Sequence, residues 1–297
     1  MKSGLIVLSK PKGLTSHDCV EEIRKLLPGS KVGHGGTLDP LAEGVLPILV
    51  NEATKLTPFL ADVDKEYVTT LILGVETDTD DAQGKITQEA SIEGIDRDKI
   101  EEALKQFRGE IEQVPPLYSA IKLHGTPLYK RARRGEKIEL KPRKVHISRC
   151  DLISVELPHV TLFIHCSRGT YIRALARDLG RALQCGAHLE RLERTQFGPF
   201  TVGQAVTLEE LRKSRGEVEK QMIPLADALS AFPSIQLSQE QTSAVRRGKT
   251  PLLKAFDLSL KPGKVKLLGP QGELVAVAEA LHFENVQSRM VRLIRVF

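Results

Sequence analysis

The spacing of apolar residues along the chain changes between two periods, and each period predicts one kind of element. Contiguous or alternating apolar residues predict strands, at residues 5–8, 67–73 and 160–166. Apolar residues that recur every three or four positions predict helices, at residues 16–27, 96–107 and 171–183. These elements do not follow a regular β-α-β order, which favours an α+β fold over a doubly wound parallel sheet.

The pattern changes after about residue 230. A short helical stretch at residues 239–247 is followed by brief apolar runs separated by turn residues, at 265–268, 274–280 and 291–297. Such runs predict strands in a compact, mostly β unit. We therefore predict two domains, at residues 1–231 and 232–297.

The composition is that of an ordinary globular protein, with 41% hydrophobic and 27% charged residues in a chain of 297. No apolar stretch approaches membrane-spanning length, and the apolar run at residues 5–8 is too short for a signal peptide. Four widely separated cysteines predict free thiols in a reducing compartment: Cys19, Cys150, Cys166 and Cys185. We therefore expect a cytoplasmic protein without membrane contact.

Positive charge is concentrated in one segment. Residues 117–149 contain ten Lys or Arg and only two acidic residues, a local net charge of +8, whereas the whole chain carries +5. Such an asymmetry is typical of a face that binds a polyanion such as nucleic acid. A solvated surface loop is the alternative interpretation of the same run.

The most informative motif surrounds one carboxylate, Asp39, within residues 33–47. Three glycines precede it, at positions 33, 35 and 36, and they allow close backbone approach and positive φ. Pro40 disfavours helical backbone at Asp39. The pattern therefore predicts a shaped loop that presents a carboxylate, as catalytic loops often do. A tight turn with a capping Asp is the alternative.

Four further segments accompany this loop, in the order 10–16, 65–74, 115–133 and 167–180. With residues 33–47, they resemble the TruB family of bacterial tRNA pseudouridine synthases over about residues 4–230. The region after residue 230 resembles, more loosely, a PUA domain, a small RNA-binding β-barrel.

The resemblance implies a pseudouridine-synthase fold, with a central mixed or antiparallel sheet flanked by helices and a small C-terminal barrel-like domain. Residues 1–231 would form the catalytic domain, with a basic RNA-binding insertion at about 115–149, and residues 232–297 the PUA-like domain. It implies isomerisation of uridine 55 in the T-loop of tRNA, in which the glycosidic bond moves from N1 to C5. Atoms are conserved, so no cofactor, redox partner or metal is implied, and the T-arm stem-loop of tRNA is the expected partner of a monomer without an obligate protein partner.

Asp39 aligns with the essential aspartate of the family. A carboxylate can stabilise the cationic sugar, trap it covalently or deprotonate C2′, and the sequence leaves these three roles open. Each role requires an ionised Asp39. An arginine within about 4–6 Å lowers a carboxyl pKa by roughly 1–3 units, and the resemblance assigns that partner role to Arg173.

The base must leave its stack before it reacts, which costs a few kcal/mol, and stacking on an aromatic ring offsets about 1–3 kcal/mol. The chain has no Trp and four Tyr, all inside the matched segments. The resemblance assigns uracil stacking and help with the C5 proton to Tyr67. It also implies further substrate-binding residues: Tyr171 in the site, Leu192 against the flipped base, His34 in the vacated space, and Lys10, Tyr118, Lys130 and Arg133 as RNA contacts. Half-buried core positions are the alternative for the tyrosines.

Three other functions compete with this interpretation. An RNA chaperone on the same scaffold would not need Asp39, Tyr67 and Arg173 together. A guide-RNA-dependent synthase would carry extensions for partner proteins. The sequence shows no long tail or basic extension, so we expect a stand-alone enzyme. A glycosidase or nucleobase hydrolase usually needs two paired carboxylates, and its product would be free uracil.

Overall fold

The structure is a computed structural model that describes residues 2–119, 122–123, 125–128, 131, 134–136, 138, 140–214, 216–249, 263–281 and 290–297. The strands in chain order are β1 (Gly4–Lys10), β2 (Val32–His34), β3 (Glu43–Val50), β4 (Lys65–Leu73), β5 (Val75–Thr77), β6 (Ile86–Glu89), β7 (Gly109–Gln113), β8 (Lys122–Leu123), β9 (Thr126–Pro127), β10 (Arg143–Glu156), β11 (His159–Cys166), β12 (Ala187–Phe197), β13 (Phe200–Thr201), β14 (Val206–Thr207), β15 (Ser234–Gln236), β16 (Gly263–Leu268), β17 (Leu274–Leu281) and β18 (Met290–Val296).

The α-helices of the described residues are α1 (Ser16–Leu26), α2 (Thr57–Leu60), α3 (Arg97–Leu104), α4 (Ile172–Ala182), α5 (Leu208–Lys213), α6 (Leu225–Ala228) and α7 (Gln239–Arg246). A capping box starts α1, because Thr15 and Asp18 each accept a hydrogen bond from the other's backbone N–H. In the described chain, no helix is long and apolar enough to cross a membrane.

A large mixed sheet forms the centre of the molecule. Its strands follow the order β14-β1-β3-β12-β4-β11-β10-β7, with β2 paired to β3 and β13 to β12. The β1–β14 and β3–β12 pairs are parallel, and the other pairs are antiparallel. The sheet and the helices that cover it confirm the predicted α+β class, with a central mixed sheet flanked by helices.

The helices cover the sheet where its apolar side chains point. Leu175 and Leu179 of α4 join Ile23 of α1 and Ile100 of α3 in one buried cluster with the sheet. Burial of a side chain of this size contributes about 1.5–3 kcal/mol. Packing therefore holds α4, which begins at the candidate site, firmly against β12 and β4.

The C-terminal region contains a four-stranded sheet of order β15-β16-β17-β18. Leu274 and Val277 of β17 pack in one cluster with Leu5 and Phe59, so this sheet contacts the main part of the protein. The predicted mostly β character is confirmed. The closure of these strands into a barrel and the domain boundary at residue 231 stay predictions.

Candidate active site

Asp39 lies in the irregular loop that joins β2 to β3, directly before Pro40. Its Oδ2 atom is 2.9 Å from Nε of Arg173, in the first turn of α4. The Asp39 side chain is 36% exposed, whereas that of Arg173 is only 5% exposed. An accessible carboxylate is therefore paired with a buried cation. The family resemblance predicted this pairing.

The glycines of this loop matter for close packing rather than for positive φ angles. Gly33, Gly35 and Gly36 have φ values outside the left-handed region, contrary to our expectation of positive φ. A Cβ at Gly36 would lie 2.7 Å from the ring of Phe197, closer than real contacts allow. Gly36 is needed because the loop lies flat against this ring. Positive φ occurs instead at Gly44, at +99°, where the chain enters β3.

The N-terminal motif 10–16 holds the loop from one side. The hydroxyl of Ser16 accepts from the Leu38 N–H at 2.8 Å and donates to the Leu38 carbonyl at 3.0 Å. The Gly13 N–H donates to the carbonyl of Pro40 at 2.8 Å. These contacts fix the backbone on both sides of Asp39 and limit its motion.

Lys10 completes this clamp and corrects one prediction. Its ammonium donates to the carbonyls of Pro11, at 2.9 Å, and Ala42, at 2.6 Å. The residue is fully buried, and desolvation lowers its pKa. The predicted phosphate contact is therefore wrong for this structure, because the ammonium is enclosed by the loop that it supports.

Arg194 of β12 holds the loop from the other side. Its guanidinium donates to three carbonyls, those of Val45 at 2.7 Å, Gly36 at 3.1 Å and Thr37 at 3.4 Å. The residue is 2% exposed. Sequence reasoning missed Arg194. The sequence feature that could have identified it is an arginine at an inward-facing position of a strand. A buried guanidinium at such a position needs hydrogen-bond acceptors around it.

Tyr67 stands on β4 directly opposite Arg194 of β12 and Ile164 of β11. The side chain is largely buried. Burial raises the pKa of the phenol to about 12, although Arg194 beside it opposes this shift. The hydroxyl therefore stays neutral at physiological pH and can donate a proton in a hydrogen bond.

Backbone carbonyls fix the guanidinium of Arg173. Nη1 donates to Thr79 at 3.1 Å, and Nη2 donates to Tyr118 at 2.9 Å. The buried carboxylate of Asp81 lies 3.6 Å from Nη1. Nε, the third nitrogen, lies 2.9 Å from Asp39 Oδ2, so the partners of Nη1 and Nη2 orient the guanidinium toward this carboxylate.

Opposing effects set the pKa of Asp39. Desolvation raises it and the nearby Asp81 carboxylate adds to the rise, while Arg173 and Lys10 oppose it. The net direction is upward. Arg173 lowers the Asp39 pKa, as expected, but desolvation by burial outweighs it, so the effect of Arg173 is to limit the rise.

Tyr171 and Leu192 lie close to this centre. Tyr171 is the residue before α4, and the amide of Gln113 binds its backbone from both sides, at 2.8 and 3.1 Å. Burial raises the pKa of the Tyr171 phenol, and the charge of Asp39 adds to the rise. Leu192 is buried on β12, two residues before Arg194, so the two side chains share a face of the strand.

His34 ends β2, just before the glycines. Burial and the nearby Arg194 lower the pKa of its imidazole. Among the described residues, its buried Nδ1 atom has no hydrogen-bond partner. A neutral ring with one unsatisfied nitrogen beside the loop is consistent with the predicted contact with substrate.

The basic segment is described only in part. Lys130 and Arg133, both predicted RNA contacts, lie outside the described residues, as does Tyr129. Tyr118 is half-buried and contributes its backbone carbonyl to Arg173. Further along the segment, Lys141, Arg143 and Lys144 are exposed and available to a polyanion.

These positions combine an oriented, accessible carboxylate with a neutral phenol and a rigid backbone. In such a site the carboxylate can stabilise or attack an electron-poor carbon, and the neighbouring phenol hydroxyl can donate or accept a proton. The half-buried ring of Tyr171 can receive a planar ligand by stacking, whereas Tyr67 lies in the buried cluster. The geometry is therefore suited to bond rearrangement in a flat heterocycle.

Comparison with known proteins agrees with this chemistry. Residues 24–172 match the family model of the TruB family pseudouridylate synthase N-terminal domain. Residues 173–230 match the tRNA pseudouridylate synthase B C-terminal domain. The two matches adjoin at the first turn of α4, so they place Asp39 in one and Arg173 in the other.

Curated relatives are similar over most of the chain. The chain is 48% identical over 242 residues to tRNA pseudouridine synthase B of Pseudomonas aeruginosa (strain UCBPP-PA14), covering 80% of this chain and 79% of the relative. It is 42% identical to the protein of the same name from Stutzerimonas stutzeri (strain A1501), covering 99% and 96%. Among solved structures, a Cbf5-Nop10-Gar1 complex contains a chain with a TM-score of 0.78 and 29% identity, covering 99% of this chain and 84% of that one.

Proposed function

The chain belongs to the TruB family of pseudouridylate synthases, and from that premise we propose that Asp39 is the carboxylate that converts uridine 55 in the T-loop of tRNA. The enzyme class is an isomerase that forms pseudouridine from uridine in tRNA. The observation that carries the role of Asp39 is its ion pair with buried Arg173 inside the matched loop.

The reaction moves one bond and conserves every atom. The N1–C1′ bond of uridine breaks, the base turns, and C5 bonds to C1′ while the C5 proton moves to N1. Breaking the bond leaves positive character on the sugar, so a carboxylate at Asp39 has a direct electrostatic role. It can act by stabilising the cation, by forming a bond to the sugar or by removing a C2′ proton.

Each group around Asp39 has a matching task. Arg173 favours the ionised carboxylate and so opposes the desolvation that raises the pKa of Asp39. Tyr67 offers a ring for stacking and a hydroxyl that remains protonated, since its pKa is about 12. Leu192 adds apolar surface beside Tyr67, and both residues belong to the same buried cluster.

The rigidity of the loop is part of the mechanism. Ser16 and Gly13 bind the backbone of Leu38 and Pro40, directly before and after Asp39. Arg194 binds the carbonyls of Gly36 and Thr37. Reorganisation before reaction is therefore small, and preorganised charge is a large source of rate enhancement. The same contacts leave the carboxylate itself open to the substrate.

We assign tRNA as the partner and expect a stand-alone monomer, because the relatives named tRNA pseudouridine synthase B match nearly the whole chain. The Cbf5 chain of similar fold was solved with Nop10 and Gar1. The exposed cations of the basic segment would contact phosphates, which dominate affinity without carrying sequence information. Four buried free cysteines support action in a reducing cytoplasm.

Product analysis tests this function. The purified protein is incubated with an unmodified T-arm stem-loop, without added metal or cofactor, and the digested RNA is analysed for nucleoside mass and retention. Pseudouridine at the T-loop uridine, but none in an RNA with cytidine at that position, is the expected result. Free uracil would instead identify a hydrolase, and tight binding with unchanged uridine would identify a chaperone or a guide-dependent synthase.

A further inference from the structure

A second buried arginine lies on the same face of α4 as Arg173, four residues further along the helix. Arg177 is buried, and each of its guanidinium nitrogens has an oxygen within reach. Nη1 is 3.0 Å from Asp80, Nη2 donates to the Val114 carbonyl at 2.9 Å, and Nε is 2.9 Å from Asp178. A buried cation with an oxygen partner for each of its three nitrogens indicates that the fold requires an arginine at this position.

The two arginines bind the same two segments of the chain. Arg173 takes its carbonyl partners from Thr79 and Tyr118. Arg177 binds Asp80, one residue after the first, and Val114, four residues before the second. The segments that orient Arg173 are therefore themselves held by Arg177.

Asp80 occupies a demanding position. Its φ is +60°, in the left-handed region that is unfavourable for residues other than glycine. Its carbonyl accepts from the Leu189 N–H at 3.0 Å, and its carboxylate, on a side chain that is 14% exposed, is paired with Arg177. Loss of Arg177 would leave this largely buried carboxylate without its ion-pair partner next to Thr79, and the loop would have to rearrange to solvate it.

We propose that Arg177 and Asp80 form a positioning pair that aims the Arg173 guanidinium at Asp39 and so supports the ionised state of the catalytic carboxylate. This inference rests on the proposed function of Asp39. Neither residue touches the substrate in this account. Both act through the carbonyls of Thr79 and Tyr118, which hold Nη1 and Nη2 of Arg173.

The test compares Arg177→Met with Arg177→Lys, Asp80→Asn and a matched control, Arg181→Gln. Arg181 follows one turn later on α4, and its side chain, which pairs with Glu76, is 59% exposed. Single-turnover rates on the T-arm RNA are measured across pH, together with RNA affinity and Tm. Because misplacement of a positioning group costs roughly 10- to 100-fold in rate, we expect that loss for Arg177→Met, with affinity within about twofold.

The pH profile separates positioning from simple destabilisation. Arg177→Met is expected to move the acid limb to higher pH, because a misaimed Arg173 opposes the rise in the Asp39 pKa less well. Asp80→Asn and Arg177→Lys keep part of the contact and should show smaller shifts in the same direction. Arg181→Gln should match the wild type in rate and profile.

A carboxyl ¹³C titration of aspartate-labelled protein measures the same effect without turnover. A higher Asp39 pKa in Arg177→Met supports the inference, with Asp39→Asn identifying the resonance. An unchanged pKa and an unchanged acid limb in folded Arg177→Met and Asp80→Asn would overturn it. A wild type that forms no pseudouridine would overturn the proposed function instead, while the titration would still decide the role of Arg177.

Discussion

The carboxylate of Asp39 shows how single residues balance opposing effects. Desolvation raises its pKa, and the ion pair with Arg173 opposes that rise. The net direction is upward, and Arg173 limits the rise by stabilising the ionised carboxylate. Arg173 can do this because its other nitrogens are occupied by carbonyls and Asp81.

The acid limb of the pH–rate profile should report this balance. Asp39 acts as a carboxylate, so the rate should fall as pH decreases through its raised pKa. Replacing Arg173 by Met removes the opposing charge, and the limb should move to higher pH. Arg173→Lys should move it less, because the charge is kept. A limb at the same pH in all three proteins would contradict the role of Arg173.

Tyr67 offers a separate test of the ring and the hydroxyl. Tyr67→Phe keeps the stacking surface, so RNA binding should persist while turnover falls. Tyr67→Leu should also weaken capture of the base, since stacking contributes about 1–3 kcal/mol. Kd and single-turnover rate distinguish these effects. Two variants as active as the wild type would show that Tyr67 has neither role.

The elements of the fold differ in how far the sequence could predict them. The periodicity predicted α1 and α4 to within a residue or two, because each has one apolar face and a clear start. It missed β3 and β12. Strand β12 carries four charged residues at positions 190–194, and its place between β3 and β4 depends on tertiary pairing rather than local pattern.

The same limit explains what the site analysis missed. Asp39, Tyr67 and Arg173 were recognisable from their motifs. Arg194 was not, since its partners are carbonyls that come together only when β12 lies beside β3. The effect of burial on the Asp39 pKa also depends on the folded surroundings, and the sequence alone suggested the opposite direction.

The loop between β2 and β3 should tolerate little added volume at Gly36. In Gly36→Ala, the new methyl would meet the Phe197 ring at 2.7 Å. Overpacking of this kind costs about 1–3 kcal/mol, and displacement of the loop should also lower the rate. Gly203→Ala is the control, because its nearest neighbour is a side-chain oxygen at 4.0 Å. Equal Tm and rate in the two variants would refute the packing role.

At the scale of the whole molecule, the central sheet gathers distant segments around one carboxylate. Lys10 of β1, Ser16 of α1 and Arg194 of β12 bind the Asp39 loop, and Arg173 of α4 forms the ion pair with Asp39. The C-terminal sheet packs through Leu274 and Val277 against a second apolar cluster, which includes Leu5 and Phe59. Such a rigid framework suits an enzyme whose substrate must open to enter the site.

The exposed cations of the basic segment should govern the salt dependence of binding. Neutralising Lys141, Arg143 and Lys144 to Gln removes up to three phosphate contacts. The slope of log K against log salt should then flatten by about 0.7–0.9 per lost contact. Neutralising three exposed lysines elsewhere, Lys25, Lys213 and Lys220, serves as the control. An unchanged slope in the first variant would show that this segment faces solvent.

The most direct test of the central claim is the single-turnover rate of Asp39→Asn on T-arm RNA, measured with its RNA affinity. The variant keeps the size of the side chain and removes its charge, and Asp98→Asn, an exposed position on α3, is the control. We expect no detectable pseudouridine from Asp39→Asn, with RNA binding close to that of the wild type. Normal turnover in this variant would contradict the assignment of Asp39 as the catalytic carboxylate.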